Sequence, residues 1–178
     1  MPYEFSKKKV APGGGIYAYL PFDNRTKHNK SMFKIGFTTN FMKRESNYHT
    51  YLPEGVYRVA LLTNPMKPGP QNFTVPKNPE KDKKGYMRYL KHVEKFVFEL
   101  IEKNGGEILS TNNRPFNEGE TEWIFTSQDI IHKAFQKAGT LFGGVVDIYS
   151  LTNAFPKRND KDFVGEIYFK HHKEPKEV

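Results

Sequence analysis

Apolar and polar positions follow different rhythms in different parts of this chain, and each rhythm predicts a different element. Ile16-Tyr17-Ala18-Tyr19-Leu20 is a β-branched and aromatic run that stops at Pro21. Met32-Phe33-Lys34-Ile35-Gly36-Phe37 follows after a polar stretch over 23–31, so the two runs predict a hairpin with a long loop. Thr38-Thr39-Asn40 carries N-cap chemistry for a short helix from about Phe41 to Tyr51, closed by Pro53 and Gly55. Val56 to Leu62 predicts a third strand. From Gly85 to about Lys103, the apolar residues Tyr86, Tyr89, Leu90, Val93, Phe96, Val97, Leu100 and Ile101 recur at the spacing of one helix face, and Asn104-Gly105-Gly106 supplies the stop. Glu107 to Leu109 and Thr121 to Phe125 read as strands, and Ser127 caps a helix over 129–138. Val145 to Tyr149 and Val164 to Phe169 predict an additional hairpin.

The interruptions divide the chain. Residues 1–12 read as a basic arm, and Gly13-Gly14-Gly15 as a flexible hinge. Residues 64–84 hold five prolines and five lysines, the composition of an exposed loop or insertion and not of core. The expected organisation is an arm over 1–12, a domain over 13–126 and a C-terminal helix and extension over 127–178. The expected fold class is α+β, a small central antiparallel sheet flanked by helices.

Composition narrows the function. A chain of 178 residues suits one domain, and its 15 Phe and 10 Tyr allow a core built from large side chains. No run approaches the roughly 18 apolar residues of a membrane span, and the basic N-terminus lacks the apolar segment of a secretory signal. With no cysteine there is no disulfide scaffold, thiolate metal site or cysteine nucleophile, and a soluble intracellular protein is expected. The net charge of +8 is uneven: the first hundred residues carry 18 basic and 8 acidic side chains, the remainder 10 and 12. Phosphate neutralisation needs Lys and Arg on one face, so a nucleic-acid surface is expected in the N-terminal part, with the lysines of 64–84 as one candidate contact.

Taken singly, Tyr17 reads as a packing tyrosine and Lys34 and Arg44 as surface cations. Glu94, beside the apolar arc of its helix, reads either as a boundary carboxylate paired with Lys91 or Lys95 or as a metal ligand facing a cleft. Their order changes this reading. Gly15-Ile16-Tyr17 precedes Lys34-Ile35-Gly36; Arg44 comes ten residues after Lys34, Tyr48 one helical turn after Arg44, and Glu94 on the long helix. This series resembles the GIY-YIG nuclease family. Lys-Ile-Gly in place of Tyr-Ile-Gly, followed by Thr38-Thr39-Asn40, looks like the phage and large-virus branch. Thr121-Glu122-Trp123-Ile124-Phe125 is similar to the strand that follows the metal-binding helix in that branch. The likeness covers residues 13–126.

The resemblance implies a divalent-metal-dependent endonuclease acting on DNA, with duplex as the expected form. Glu94 would hold the metal, Mg²⁺ or Mn²⁺; a single carboxylate suits Mg²⁺, which keeps most of its waters. Tyr17 would activate water. An unperturbed tyrosine has a pKa of about 10, so the phenolate needs nearby cations, a role for Lys34 and Arg44. Arg44 also has the planar fork suited to a phosphoryl oxygen, and Tyr48 lies on the same helical face. The resemblance further implies a supporting asparagine, for which Asn104, Asn112, Asn113 and Asn117 all compete. A single site cuts one strand per encounter, so a double-strand break requires a dimer on DNA or two successive events. A catalytically inactive nucleic-acid-binding module of the same fold is the alternative.

Overall fold

The computed structural model describes residues 13–21, 30–45, 56–109 and 122–149. The arm over 1–12, Tyr48, Asn112, Asn113, Asn117 and the segment 164–169 lie outside these residues. The fold is α+β: six strands form one antiparallel sheet with helices against it. The elements are β1 (Gly15–Pro21), β2 (Lys30–Thr38), a helix α1 described over 41–45, β3 (Val56–Thr63), α2 (Lys83–Lys103), β4 (Glu107–Leu109), β5 (Glu122–Ser127), α3 (Gln128–Phe142) and β6 (Val145–Ile148). The sheet order is β4-β5-β2-β1-β3-β6, with β1 and β2 at its centre and the two shortest strands at its edges, where short strands limit pairing with other chains.

Strand alternation gives the sheet two distinct faces. Ile16, Ala18 and Leu20 of β1 and Phe33, Ile35 and Phe37 of β2 point to one of them, where α2 and α3 close a continuous apolar core. Tyr17, Tyr19, Lys34 and Gly36 alternate with those residues and belong to the other face, against which α1 lies.

Asp82 caps α2 by accepting from the Gly85 N–H at 3.0 Å, so the helix starts at Lys83, two residues before the expected start. At the other end the Gly106 N–H donates to the Ile101 carbonyl at 2.9 Å, as the Asn-Gly-Gly stop predicts. The outer face of the helix carries Lys84, Arg88, Lys91 and Lys95 one turn apart, an arrangement that costs about 1 kcal/mol in like-charge repulsion. Burial of Tyr86, Tyr89, Leu90, Val93, Val97, Phe98 and Ile101 on the inner face, at roughly 1.5–3 kcal/mol per large apolar side chain, outweighs that cost several-fold.

α3 begins at the Ser127 cap and runs four residues beyond the expected end, because Phe142 on its last turn is fully buried. Ile131, Ala134, Phe135, Ala138 and Phe142 belong to the same core as β1 and α2. β6 pairs with β3, Leu62 opposite Val146, so its described partner is a strand of the central sheet.

Two expectations about loops are corrected. The Gly13-Gly14-Gly15 triplet is not a hinge: the Gly13 carbonyl accepts from Phe41, the Gly14 carbonyl accepts from Asn64, and a Cβ on Gly15 would meet the Leu62 carbonyl. The proline-rich segment keeps its lysines outside but is packed across α2 and α3. Phe73 stacks on His92 at 4.8 Å and Phe142 at 5.9 Å, and Val75 packs against the core. The hydroxyls of Tyr86 and Tyr89 donate to the Pro65 and Lys67 carbonyls at 3.0 and 2.7 Å. Gly69 passes over Phe142 with φ of +71°, leaving no room for a Cβ.

Candidate functional site

The two motifs that carry the resemblance lie side by side. β1 and β2 pair so that Tyr17 is opposite Gly36, Ala18 opposite Ile35 and Tyr19 opposite Lys34. Tyr17 and Lys34 therefore share a face as diagonal neighbours, a separation of about 7–8 Å between backbones. The Tyr17 ring is fully buried and stacked on Tyr19, centroids 4.8 Å apart. Lys34 is half-buried, with its Nζ 5.1 Å from the centre of the Trp123 ring directly across the next strand.

Arg44 arrives from α1, and the turn before it explains how. The Asn40 side chain accepts from the Lys43 N–H at 3.0 Å, the Thr38 hydroxyl and Asn40 bond one another, and the Arg44 N–H donates to the Asn40 carbonyl. This is the capping expected of Thr38-Thr39-Asn40. Phe41 and Glu45, four residues apart, form the buried row of the helix, and Arg44 stands half-buried beside it.

Beneath α1 is a buried polar cluster that the sequence reading passed over. Glu45 accepts from Arg58 Nε at 3.0 Å and Nη2 at 2.6 Å, and from the Tyr19 hydroxyl at 2.6 Å. Both members of the ion pair are essentially inaccessible, at 0% and 1%. Burial works against the Arg58 charge, yet the Glu45 carboxylate, with smaller help from Tyr19 and Tyr149, holds the guanidinium above its ordinary value. Arg58 is fully buried and locked inside by this pair. A lone arginine within Val56 to Leu62 was the available signal, since a buried cation needs a buried partner.

Glu94 comes from the opposite side. It sits half-buried on α2 in one row with Leu90 and Phe98, four residues either way and both buried, at the flank of the face that meets the core. Tyr17 and Lys34 thus lie on one sheet face, the face against which α1, the helix of Arg44, is packed through Glu45, whereas Glu94 belongs to a helix on the other. Asn104, one of the four asparagine candidates, is the C-cap of α2, its side chain donating to the Leu100 carbonyl at 2.7 Å. Among the described residues no three His, Asp or Glu side chains gather as a metal-holding group. Among those residues, too, no helix is long and apolar enough to cross a membrane.

No protein-family model, curated protein or solved structure matches this chain.

Proposed function

We propose that the chain is a divalent-metal-dependent endonuclease of the GIY-YIG type, hydrolysing DNA phosphodiester bonds. The observation that carries the reading is the antiparallel juxtaposition of Gly15-Ile16-Tyr17 with Gly36-Ile35-Lys34, followed by a capped helix, bearing Arg44, that packs against the same face. In this reading Tyr17 takes the proton of the attacking water. Lys34 and Arg44 supply the positive field that favours the phenolate, Arg44 also holding a phosphoryl oxygen. Tyr48 assists from the next turn. Glu94 suits a hard cation by the chemistry of its single oxygen donor set, and Mg²⁺ or Mn²⁺ there would polarise the scissile phosphate.

A second reading, a nucleic-acid-binding module that does not cut, is favoured by one observation: Tyr17 has no exposed surface and its face is filled by Tyr19, Glu45 and Arg58. Plasmid cleavage with Mg²⁺ or Mn²⁺, comparing wild type with Glu94→Ala and Tyr17→Phe at matched DNA binding, separates the two. Metal-dependent nicking lost in both variants supports the nuclease. Salt-sensitive binding with no cleavage under either metal supports the module.

A further inference from the structure

We propose that the outer face of α2 is a phosphate-tracking surface for duplex nucleic acid, formed by Lys84, Arg88, Lys91 and Lys95. The proposal takes its partner class from the reading above but none of its chemistry. The four residues fall at i, i+4, i+7 and i+11, so at about 100° per residue they form one stripe along the exposed side of the helix, about 16 Å long. All four are exposed, and no ion pair between described residues engages them. Lys83, the first residue of α2, and the exposed Lys81 of the strap add positive charge at the N-terminal end of the stripe.

Three features set this stripe apart from an ordinary solvated face. First, beyond the Asp82 cap the first turn of α2 has no acidic residue, and Lys83 and Lys84 sit at the positive end of the helix dipole, a sign that helix stability does not favour. Neighbouring cations one turn apart add repulsion that an alternating pattern would avoid. Second, the stripe is rigid. The inner face of α2 is locked in the core, and the strap that bears Lys81 is tied down by Tyr86, Tyr89 and the Phe73–His92 stack. The spacing of the cations along the helix is therefore fixed before binding, and only their side chains have to be ordered on a row of phosphates. Third, the stripe ends where Glu99 and Glu102 take over the exposed face, which bounds the surface to the first three turns.

The occupant follows from what the face lacks. A membrane-lying helix needs an apolar side to bury in lipid, and the apolar side of α2 is already in the core, with Met87 its one large exposed hydrophobic side chain. A protein partner needs aromatic or aliphatic anchors at the centre of its interface, which the stripe does not offer. A phosphate backbone needs cations in line and nothing else.

The test is duplex binding by fluorescence anisotropy in EDTA across a salt series, which requires no cleavage. Each phosphate neutralised adds about 0.9 to the slope of log affinity against log salt. Lys84→Gln/Lys91→Gln should therefore flatten the slope by about 2 and weaken binding at least tenfold near 0.1 M salt. Lys133→Gln/Lys137→Gln, removing the same charge from exposed positions on α3, should leave the slope within about 0.5 of wild type. Circular dichroism and melting verify that both variants are folded. Equal losses in the two variants, no loss in either, no duplex binding by wild type, or capture by anionic vesicles in preference to duplex would each overturn the stripe. Metal-dependent cleavage with unaltered stripe-variant binding sinks this proposal alone. Stripe-dependent binding without cleavage sinks the nuclease alone.

Discussion

Glu45 grips Arg58 with both carboxylate oxygens at a point where simple strand alternation would have driven Arg58 into the apolar core. Ala60 and Leu62 face the core, and Arg58 has the same parity. The register of β1 and β3 shifts between Ala18 and Tyr19, so that Ala18 opposes Ala60 while Tyr19 opposes Arg58. Val59 is the extra residue of this bulge and joins Ala60 in the core, and the arginine is turned over to the face of Tyr19 and Glu45. The bulge and the ion pair therefore explain one another: the kink delivers the cation, and Glu45 makes its burial tolerable.

Removing one partner should be far worse than removing both. Glu45→Ala strands a buried guanidinium and is expected to cost about 3–5 kcal/mol, whereas Glu45→Leu/Arg58→Met, which replaces the pair with apolar volume, is expected to cost much less than the two single changes added together. Urea unfolding of the single and double variants checks this, and an additive cycle would show that the two side chains are not coupled.

Much of the secondary structure was legible because it rests on local rules. The α2 spacing, its Asn-Gly-Gly stop, the Ser127 cap and the Thr38-Thr39-Asn40 cap act within a few residues. What could not be read required distant partners. The bulge at Val59 depends on register with β1, the partner of Arg58 is 13 residues away on a helix, and the strap is held by tyrosines about 20 residues downstream. Proline and lysine composition described the strap's surface correctly but said nothing of Phe73 and Val75 beneath it. For the site, the adjacency of the two motifs was accessible from the hairpin pattern. The side of the sheet from which Glu94 approaches was not, because nothing in the helix spacing says which face of the sheet that helix covers.

His132 should make stability fall in mildly acidic solution. The ring is half-buried on α3 with Nε2 3.2 Å from the Tyr149 carbonyl. Burial lowers its pKa, and the Tyr149 and Val59 carbonyls and Asp129 only partly oppose this. The folded state thus resists the proton that the unfolded chain accepts at about 6.5, so stability is complete above that pH and is lost as pH falls through and below it. Melting temperatures between pH 5 and 8 should show this decline, flattened in His132→Gln. An identical pH profile in the two proteins would assign the decline to other groups.

The strap should loosen at alkaline pH. Burial pushes the Tyr86 phenol up to about 12, and burial together with Tyr86 raises Tyr89 further. Both phenols stay neutral when folded, whereas the unfolded chain ionises them at about 10. Their stabilising contribution is therefore complete below pH 10 and decreases as pH rises towards 12. Tyr86→Phe and Tyr89→Phe each lose a hydrogen bond to the strap, at a cost of about 1 kcal/mol, and should show weaker alkaline destabilisation. Limited proteolysis within 64–82 is the direct readout, and cleavage no faster in either variant would mean that Phe73 holds the strap without them.

Lys34 separates a chemical role from a packing role, because its neighbour Trp123 is the sole tryptophan of the chain and reports on it by fluorescence. A partly exposed cation over an indole contributes about 0.5–1 kcal/mol, so Lys34→Gln should shift the Trp123 emission while leaving the protein folded. If Lys34 also supplies the field that favours the Tyr17 phenolate, the variant loses cleavage tenfold or more, and the rise of rate with pH moves to more alkaline values, since the phenol must now ionise without its cation. Lys34→Arg keeps the charge and should recover most of the rate. A variant with altered Trp123 fluorescence and an unchanged pH–rate profile would show that Lys34 covers the tryptophan and takes no part in the chemistry.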